Sequence, residues 1–203
     1  MLNYKSVLGV LLATGISTAF AETLAKAKVG DAAPAFSLKD SKGVTQTLAQ
    51  YKGKVVVLEW TNFDCPFVKK HYGSGNMQKL QADAKAKDVV WLTINSSNVG
   101  KEGYYTGKDL DKKIAENKLT TPYLFDTDGT VGKMYGAKTT PDMYIINKAG
   151  TLVYSGAIDD KATTKISDVA GAKNYVAQSL DEVLADKPVS LASTKPYGCG
   201  IKY

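Results

Sequence analysis

The strongest constraint on the fold is a short apolar run followed by a cysteine at a predicted helix start. Residues 55–58 read Val-Val-Val-Leu, and Cys65 and Pro66 follow soon after. A run this short and this apolar is typical of a central strand buried on both faces. Pro66 is tolerated in the first turn of a helix, and Asp64 is a capping residue type. The chain is therefore predicted to pass from a central strand into a helix at Cys65.

The rest of the chain alternates strand and helix patterns. Residues 36–48 predict a β-hairpin ahead of the central strand. The patterns that follow predict a helix break at 73–75 with helix over 77–85, a strand at 89–94, a helix at 107–117, a strand at 123–125, a short helix through 135, a hairpin over 143–155 and a helix at 169–184. Such alternation favours parallel neighbours joined by right-handed crossovers, and the closing hairpin makes the sheet mixed.

The first residues have the pattern of a signal peptide. Lys5 supplies a positive charge, residues 7–16 are mostly apolar, and Ala19-Phe20-Ala21 is a small-x-small cleavage site. The apolar stretch is too short to span a bilayer. We therefore expect a signal peptide at 1–21 and an exported product, periplasmic or secreted, with no stable membrane anchor after cleavage. An uncut N-terminal anchor is the alternative.

The mature chain is predicted to be one domain, residues 22–186, followed by a tail, residues 187–203, that carries the second cysteine. Cys65 and Cys199 are the only cysteines, and export places them where a disulfide persists. A domain of this length buries a full core without a disulfide, which favours a redox role over a structural one. A permanent bridge remains the alternative, and it would contribute on the order of 4–5 kcal/mol.

The charge pattern argues against two other classes of function. The positive charges behind the formal net charge of +6 come entirely from lysine, since the chain contains no arginine, and the lysines are scattered among acids. Nucleic-acid binders rely on arginine for bidentate contacts, so we expect no nucleic-acid partner. One histidine and two cysteines fall short of a closed zinc site, so we expect no metal or other cofactor. His71 lies off the helix face of Cys65 and is predicted to be at the surface.

Several of these motifs together resemble one family. The phrases Asp64-Cys65-Pro66-Phe67-Val68 and Tyr197-Gly198-Cys199-Gly200, with Thr140-Pro141 before the closing hairpin, resemble the redoxin branch of the thioredoxin fold. This branch is the alkyl hydroperoxide reductase and thiol-specific antioxidant superfamily, and the resemblance covers residues 29–185. It implies an α/β, thioredoxin-like fold, with a central mixed β-sheet flanked by helices and an N-terminal β-hairpin extension.

The resemblance also implies roles for single residues. Cys65 matches the attacking cysteine, and Pro141 matches a cis-proline that faces it. Thr140, Pro66 and Asn62 would then border the substrate.

Two further positions concern proton transfer and resolution. Glu59 matches a buried acid that moves protons to and from the cysteines; a solvent-facing Glu59 is the alternative. Val68 stands where thioredoxins carry a second cysteine, so Cys199 is the candidate resolving thiol, brought near by the backbone freedom of Gly198 and Gly200.

The chain departs from true peroxidases. Asn62 occupies the position of their threonine or serine, with Thr61 one residue away, and their arginine is missing. We therefore predict an exported thiol-disulfide oxidoreductase, acting on a protein or small-molecule thiol or disulfide with an unidentified electron donor. A peroxide-reducing antioxidant is the first alternative. A non-catalytic partner-binding domain with a structural disulfide is the second.

Overall fold

The computed structural model describes residues 26–203, so the predicted signal peptide at 1–21 lies outside the described residues. The strands are β1 (Ser37–Asp40), β2 (Thr45–Thr47), β3 (Val56–Trp60), β4 (Val90–Asn95), β5 (Tyr123–Phe125), β6 (Thr139–Thr140), β7 (Asp142–Ile146), β8 (Leu152–Gly156) and β9 (Cys199–Gly200). The helices are α1 (Pro66–Gly73), α2 (Asn76–Ala86), α3 (Gly107–Glu116), α4 (Thr130–Tyr135) and α5 (Tyr175–Leu184).

Seven strands form one mixed sheet in the order β2-β1-β5-β4-β3-β7-β8. β3 runs parallel to β4, and β4 runs parallel to β5. The hairpin β1–β2 extends the β5 edge antiparallel, and β7–β8 extends the other side antiparallel. The predicted mixed α/β sheet with an N-terminal hairpin is confirmed.

Each face of the sheet covers its own hydrophobic core. Val57 on β3 faces one cluster, which includes Met77 of α2 and Val176 of α5. The neighbouring Leu58 and Trp60 face the other cluster. Because successive strand residues point to opposite faces, a strand covered on both sides is mostly apolar; all five residues of β3 are buried, and Glu59 is the one polar residue among them.

Helix boundaries follow the predictions with one shift. The break between α1 and α2 falls at the predicted glycine-serine-glycine turn. The last helix, however, begins at Tyr175 rather than Val169. The Asn174 side chain accepts a hydrogen bond from the Ala177 N–H at 2.9 Å and so caps the helix. Residues 166–169 form a separate 3₁₀ turn.

The C-terminal tail lies against the domain. The Thr194 N–H donates to the Ser155 carbonyl at 3.1 Å, and Ser193 bridges to β8. Further along, β9 pairs antiparallel with β6 as a separate two-stranded sheet. Within residues 26–203, the helices fall short of the length and apolar character needed to cross a bilayer.

Candidate functional site

Cys65 stands at the junction of the central strand and α1. Its backbone is extended (φ −64°, ψ 124°), and its carbonyl accepts the first helical bond from Lys69 N at 2.9 Å, so Cys65 is the N-cap. Pro66 occupies the first helical position and is exposed. The free N–H groups of a helix start stabilise an anion at this point. The Cys65 sulfur therefore lies beside the free N–H groups of the start of α1.

The Cys65 sulfur faces the residue before the closing hairpin. Its Sγ donates to the Thr140 carbonyl at 3.0 Å. The Thr140–Pro141 peptide bond is cis, as predicted from the resemblance. Cys65, Thr140 and Pro141 are all buried. Strand β3 with its turn to α1 and the short β6 thus form two sides of the site.

The tail places Cys199 at the same point. Cys199 lies opposite Thr140 in the β6–β9 register. Gly198 precedes it with φ +147°, and a Cβ there would overlap the Thr140 carbonyl oxygen. Only glycine combines this backbone conformation with so close an approach. Two cysteines separated widely in sequence therefore meet beside one carbonyl.

Both cysteines are free thiols in this structure. Burial and the neighbouring Cys65 sulfur raise the pKa of the Cys199 thiol, so Cys199 stays protonated near neutral pH. The geometry assigns the two thiols different environments: one at a helix start, one on a half-buried strand. The expected disulfide between them stays a prediction.

Asp64 does not act as the predicted helix cap. Its carboxylate binds the Lys113 ammonium of α3 at 2.8 Å and the hydroxyl of Tyr105, which lies in the loop before α3. Burial alone would raise the pKa of Asp64, but the bonds from Lys113 and Tyr105 and the Lys113 charge hold it below its usual range. The cap prediction is wrong because α3 and the loop before it supply stronger partners.

Asn62 is buried and engaged with backbone. Its Oδ1 accepts from the Asp64 N–H at 2.9 Å, and its Nδ2 donates to the Glu102 carbonyl at 3.4 Å. The side chain also packs against Gly103. Asn62 thus holds the loop before α3 against the turn that carries Cys65. Its predicted contact with substrate stays a prediction.

Glu59 is fully buried, so the solvent-facing alternative is excluded. Its carboxylate accepts hydrogen bonds from Trp91 Nε1 and the Tyr72 hydroxyl, each at 2.8 Å, and from Gln81 and Thr93 at longer range. Burial raises the pKa of Glu59 even though these bonds oppose the rise. Each of these bonds leads to α1, α2 or β4 rather than to a cysteine. These bonds do not test the predicted role of Glu59 in proton transfer, which stays a prediction.

His71 corrects a prediction. It is fully buried, not at the surface. The helix face that carries it does point away from Cys65, but the tail covers that face, and His71 Nε2 lies 3.1 Å from the Tyr197 hydroxyl. Burial, helped by the Lys70 charge and opposed by the Asp159 charge, lowers the pKa of His71 to about 4. His71 is therefore neutral at physiological pH.

Sequence reasoning missed the group that surrounds His71. Lys70, Asp159 and Tyr197 meet there, and Lys70 and Asp159 are almost completely buried. The one available signal was Tyr197 itself, a large aromatic residue placed two positions before Cys199 in a mostly polar tail.

Comparison with known proteins agrees with this geometry. Residues 29–155 match the model of the AhpC/TSA family. The thiol-disulfide oxidoreductase ResA of Oceanobacillus iheyensis is 30% identical over 154 residues, which covers 72% of this chain and 76% of that protein.

Two solved structures share the fold. An uncharacterized conserved protein from Geobacillus kaustophilus superposes with a TM-score of 0.72 at 28% identity, covering 87% of this chain and 92% of that one. A putative thiol:disulfide interchange protein DsbE from Chlorobium tepidum gives 0.53 at 26% identity, covering 64% and 85%. The site, the sheet order and these matches lead to one conclusion: this chain is a thioredoxin-like member of the AhpC/TSA family.

Proposed function

We propose that this protein is an exported thiol-disulfide oxidoreductase in which Cys65 attacks and Cys199 resolves. The observation that carries the proposal is the pairing of Cys199 opposite Thr140, whose carbonyl accepts the Cys65 thiol. The similarity to the thiol-disulfide oxidoreductase ResA of Oceanobacillus iheyensis supports the same class of chemistry.

In the first step, the Cys65 thiolate attacks one sulfur of a substrate disulfide, RS–SR′. A Cys65–SR bond forms, the RS–SR′ bond breaks, and R′S⁻ leaves with the electron pair and takes up the equivalent of the proton that Cys65 lost on forming its thiolate. The start of α1 stabilises the attacking thiolate. Thr140 and Pro141 border the path of approach, which is the role proposed for them, and Pro66 forms the exposed rim.

In the second step, Cys199 attacks the Cys65 sulfur of the mixed disulfide. A Cys65–Cys199 bond forms, the Cys65–SR bond breaks, and the Cys199 proton passes to the departing RS⁻. The substrate has then gained two electrons and two protons, and the protein is oxidised. An external dithiol must return it to the reduced state. The raised pKa of Cys199 keeps it from competing for the first attack, because the thiolate and not the thiol is the nucleophile. Part of that rise comes from the Cys65 sulfur, so it is relieved once Cys65 is bonded to SR.

The alternative of fast peroxide reduction has less support. The Asn62 side chain is already bonded to Asp64 and Glu102, and the chain has no arginine to hold peroxide oxygens. We expect the rate constant for oxidation of Cys65 by hydrogen peroxide to stay far below about 10⁷ M⁻¹s⁻¹, a value typical of efficient enzymes. Stopped-flow measurement at or above that value would make peroxidase the leading function.

Export is proposed from the signal-peptide pattern at 1–21. Mass spectrometry of protein purified from its native host should give an N-terminus at Glu22. An intact N-terminus on the mature protein would contradict this part of the proposal.

Single-cysteine variants test the division of roles. After reaction with glutathione disulfide, Cys199→Ser protein should accumulate a Cys65–glutathione adduct, because it has no second thiol to release it. Cys65→Ser protein should form little adduct, because Cys199 stays protonated. Intact-mass spectrometry under non-reducing conditions counts both adducts.

Equal adduct formation by the two variants would refute a special role for Cys65. A reduction potential of the Cys65–Cys199 pair below about −300 mV would instead indicate a structural bridge. Circular dichroism of both variants is the control for folding, which the core should maintain without the bridge.

A further inference from the structure

The last nine residues, 195–203, form a strap that crosses the site and is anchored by a half-buried tyrosine, Tyr197. Tyr197 lies two residues before Cys199, and its ring packs on Phe67 of α1 with centroids 5.8 Å apart. The Lys70 ammonium lies 5.3 Å from the centre of the same ring. The Tyr197 hydroxyl enters a socket formed by Lys70, His71 and Asp159, where it donates to the Asp159 carboxylate.

The hydrogen bonds in the socket form a directed chain. Asn76 Nδ2 lies 2.9 Å from His71 Nδ1, and an amide nitrogen only donates, so His71 accepts on Nδ1 and carries its proton on Nε2. His71 Nε2 then donates to the Tyr197 oxygen at 3.1 Å, and Tyr197 donates to Asp159. The neutral state of His71 fits this chain. One hydroxyl from the strap thus completes a network that begins on α2.

The Tyr197 hydroxyl supplies one of two hydrogen bonds to Asp159 Oδ1 in the socket, and the other comes from the Lys161 N–H at 2.9 Å. The side chains of Lys70 and Asp159 are 0% and 1% exposed, and their charged atoms are 3.7 Å apart. Lys70 Nζ also donates to the Lys161 carbonyl at 2.6 Å, but Asp159 Oδ2 has no hydrogen-bond partner among the described residues. A buried carboxylate is costly unless it is hydrogen-bonded. The bond from Tyr197 therefore stabilises the seated strap.

The other end of the strap is also held. Tyr203 donates to the Ala137 carbonyl at 2.8 Å, and the Lys202 carbonyl accepts from Asn98 N at 2.9 Å. Cys199 lies between these two anchors. Along the chain, Cys199 is nearer to the anchor at Tyr197 than to the anchor at Lys202 and Tyr203.

The seated strap closes the site. Cys65 is 0% exposed, and β9 occupies the open side of β6. An external disulfide must therefore displace the strap before it reaches Cys65, whereas Cys199 needs the strap seated to reach the mixed disulfide.

From this conflict we propose that Tyr197 is a positioning residue that sets the balance between the two steps. Seated in the Lys70–His71–Asp159 socket, it holds Cys199 on Cys65 and favours resolution. Unseated, it opens Cys65 to substrate. The inference rests on the proposed function and adds its regulation: the same strap that carries the resolving thiol restricts the first attack.

The test measures both steps in Tyr197→Phe, which keeps the ring and removes the hydroxyl. The first readout is the rate of Cys65–glutathione adduct formation in a Cys199→Ser background. The second is the equilibrium Cys65-SH + Cys199-SH + GSSG ⇌ Cys65–Cys199 disulfide + 2 GSH in the two-cysteine protein. We expect the rate to rise and the equilibrium constant to fall, each by about tenfold, the factor for losing one hydrogen bond to a buried charge.

Tyr51→Phe is the matched control. It also removes a tyrosine hydroxyl bond, from Tyr51 to Gln46 in the N-terminal hairpin, and should change neither readout. Unchanged values in Tyr197→Phe, or a lower melting temperature without the two opposite changes, would overturn the proposal.

A second measurement needs no change at Tyr197. In Cys199→Ser protein carrying glutathione on Cys65, amide hydrogen exchange at Ile201 should accelerate, because the adduct occupies the place of the strap. The Ile201 N–H donates to Lys138 at 3.2 Å when the strap is seated. Unchanged protection would also overturn the proposal. Failure of Cys199→Ser to form the adduct would refute the proposed function instead, so the two failures are distinguishable.

Discussion

At the residue scale, two carboxylates near the site show how environment decides charge. Glu59 lies among neutral donors in the core, and burial raises its pKa. Asp64 lies at the rim beside Lys113, and that pairing lowers its pKa against the effect of burial. The difference follows from one rule: burial disfavours a charge, and a nearby opposite charge restores it. Glu59 is therefore suited to hold a proton, and Asp64 to stay ionised.

The Glu59 pKa predicts a pH dependence of stability. Between the ordinary value of 4.5 and the raised folded value, the folded protein keeps a proton that the unfolded chain has lost. Stability therefore falls as pH rises through this window, by up to about 1.4 kcal/mol per pH unit. Glu59→Gln should remove this slope and leave the variant relatively more stable at neutral pH, as measured by urea unfolding between pH 4 and about 8.

Glu116, which is exposed on α3, provides the control. Glu116→Gln should keep the wild-type dependence of stability on pH. If the stability curves of Glu59→Gln and wild type stay parallel across this range, Glu59 does not hold a proton in the folded state.

The pairing of Asp64 predicts an effect on Cys65 reactivity. Lys113→Met leaves the Asp64 charge without its ammonium partner next to Cys65, and like charges about 4 Å apart repel by about 1 kcal/mol even at the dielectric constant of water. We expect the rate of Cys65 adduct formation to fall by about threefold to tenfold. Lys112→Met, on the exposed side of the same helix, should leave the rate unchanged. Adding Asp64→Asn to Lys113→Met should restore it, and a failure to restore would disprove the charge argument.

At the element scale, β9 is a strand of two residues whose pairing depends on one glycine. Two-residue pairing contributes little by itself, so the close approach of Gly198 to Thr140 decides whether β9 forms. Sequence patterns do not predict so short a strand, because periodicity needs longer segments. The sequence predicts only a tail whose glycines leave it free to approach Cys65.

Two glycines on either side of Cys199 provide a matched pair of variants. Gly198→Ala should detach β9, since the new Cβ would overlap the Thr140 carbonyl, and φ +147° disfavours any side chain. Adduct formation at Cys65 should then accelerate in a Cys199→Ser background. Gly200→Ala meets open space among the described residues and should stay within about twofold of the parent, a change smaller than 0.5 kcal/mol. Equal effects of the two variants would contradict the assigned contact.

At the scale of the whole molecule, the two cores are complete before the strap begins. The buried residues of both core clusters all lie at or before Val183 in the chain. The strap adds only two partly buried side chains to these clusters, Cys199 and Ile201. The strap therefore adds to a domain that already has its core. This arrangement allows it to leave the site without unfolding the sheet.

Removal of residues 195–203 tests this independence. The shortened protein should still unfold cooperatively, with a lower melting temperature, because each kcal/mol lost lowers the midpoint by about 2–4 °C at this size. Its Cys65 should react with glutathione disulfide faster than in Cys199→Ser protein. Calorimetry and adduct kinetics measure the two effects. Loss of a cooperative transition would show that the strap is part of the core.

Local patterns were sufficient for much of this protein. The apolar run at β3, the turn to α1, the hairpins and the position of Pro141 follow from short segments, because strand and helix periods and turn residues act locally. The resemblance built on those segments led to the correct fold class and family. Because the chain contains only two cysteines, their count alone was enough to suggest that Cys65 and Cys199 act as a pair.

Tertiary structure alone decided the rest. The burial of His71, the pairing of Asp64 with Lys113 and the seat of Tyr197 join residues 49 to 127 positions apart. Such contacts leave no periodic trace in a single sequence, because each partner taken alone is an ordinary polar residue. They form only once the sheet has brought α1, α3 and the tail to one edge. The sequence by itself therefore determined the scaffold and its two thiols, and the folded chain decided how the second thiol is held over the first.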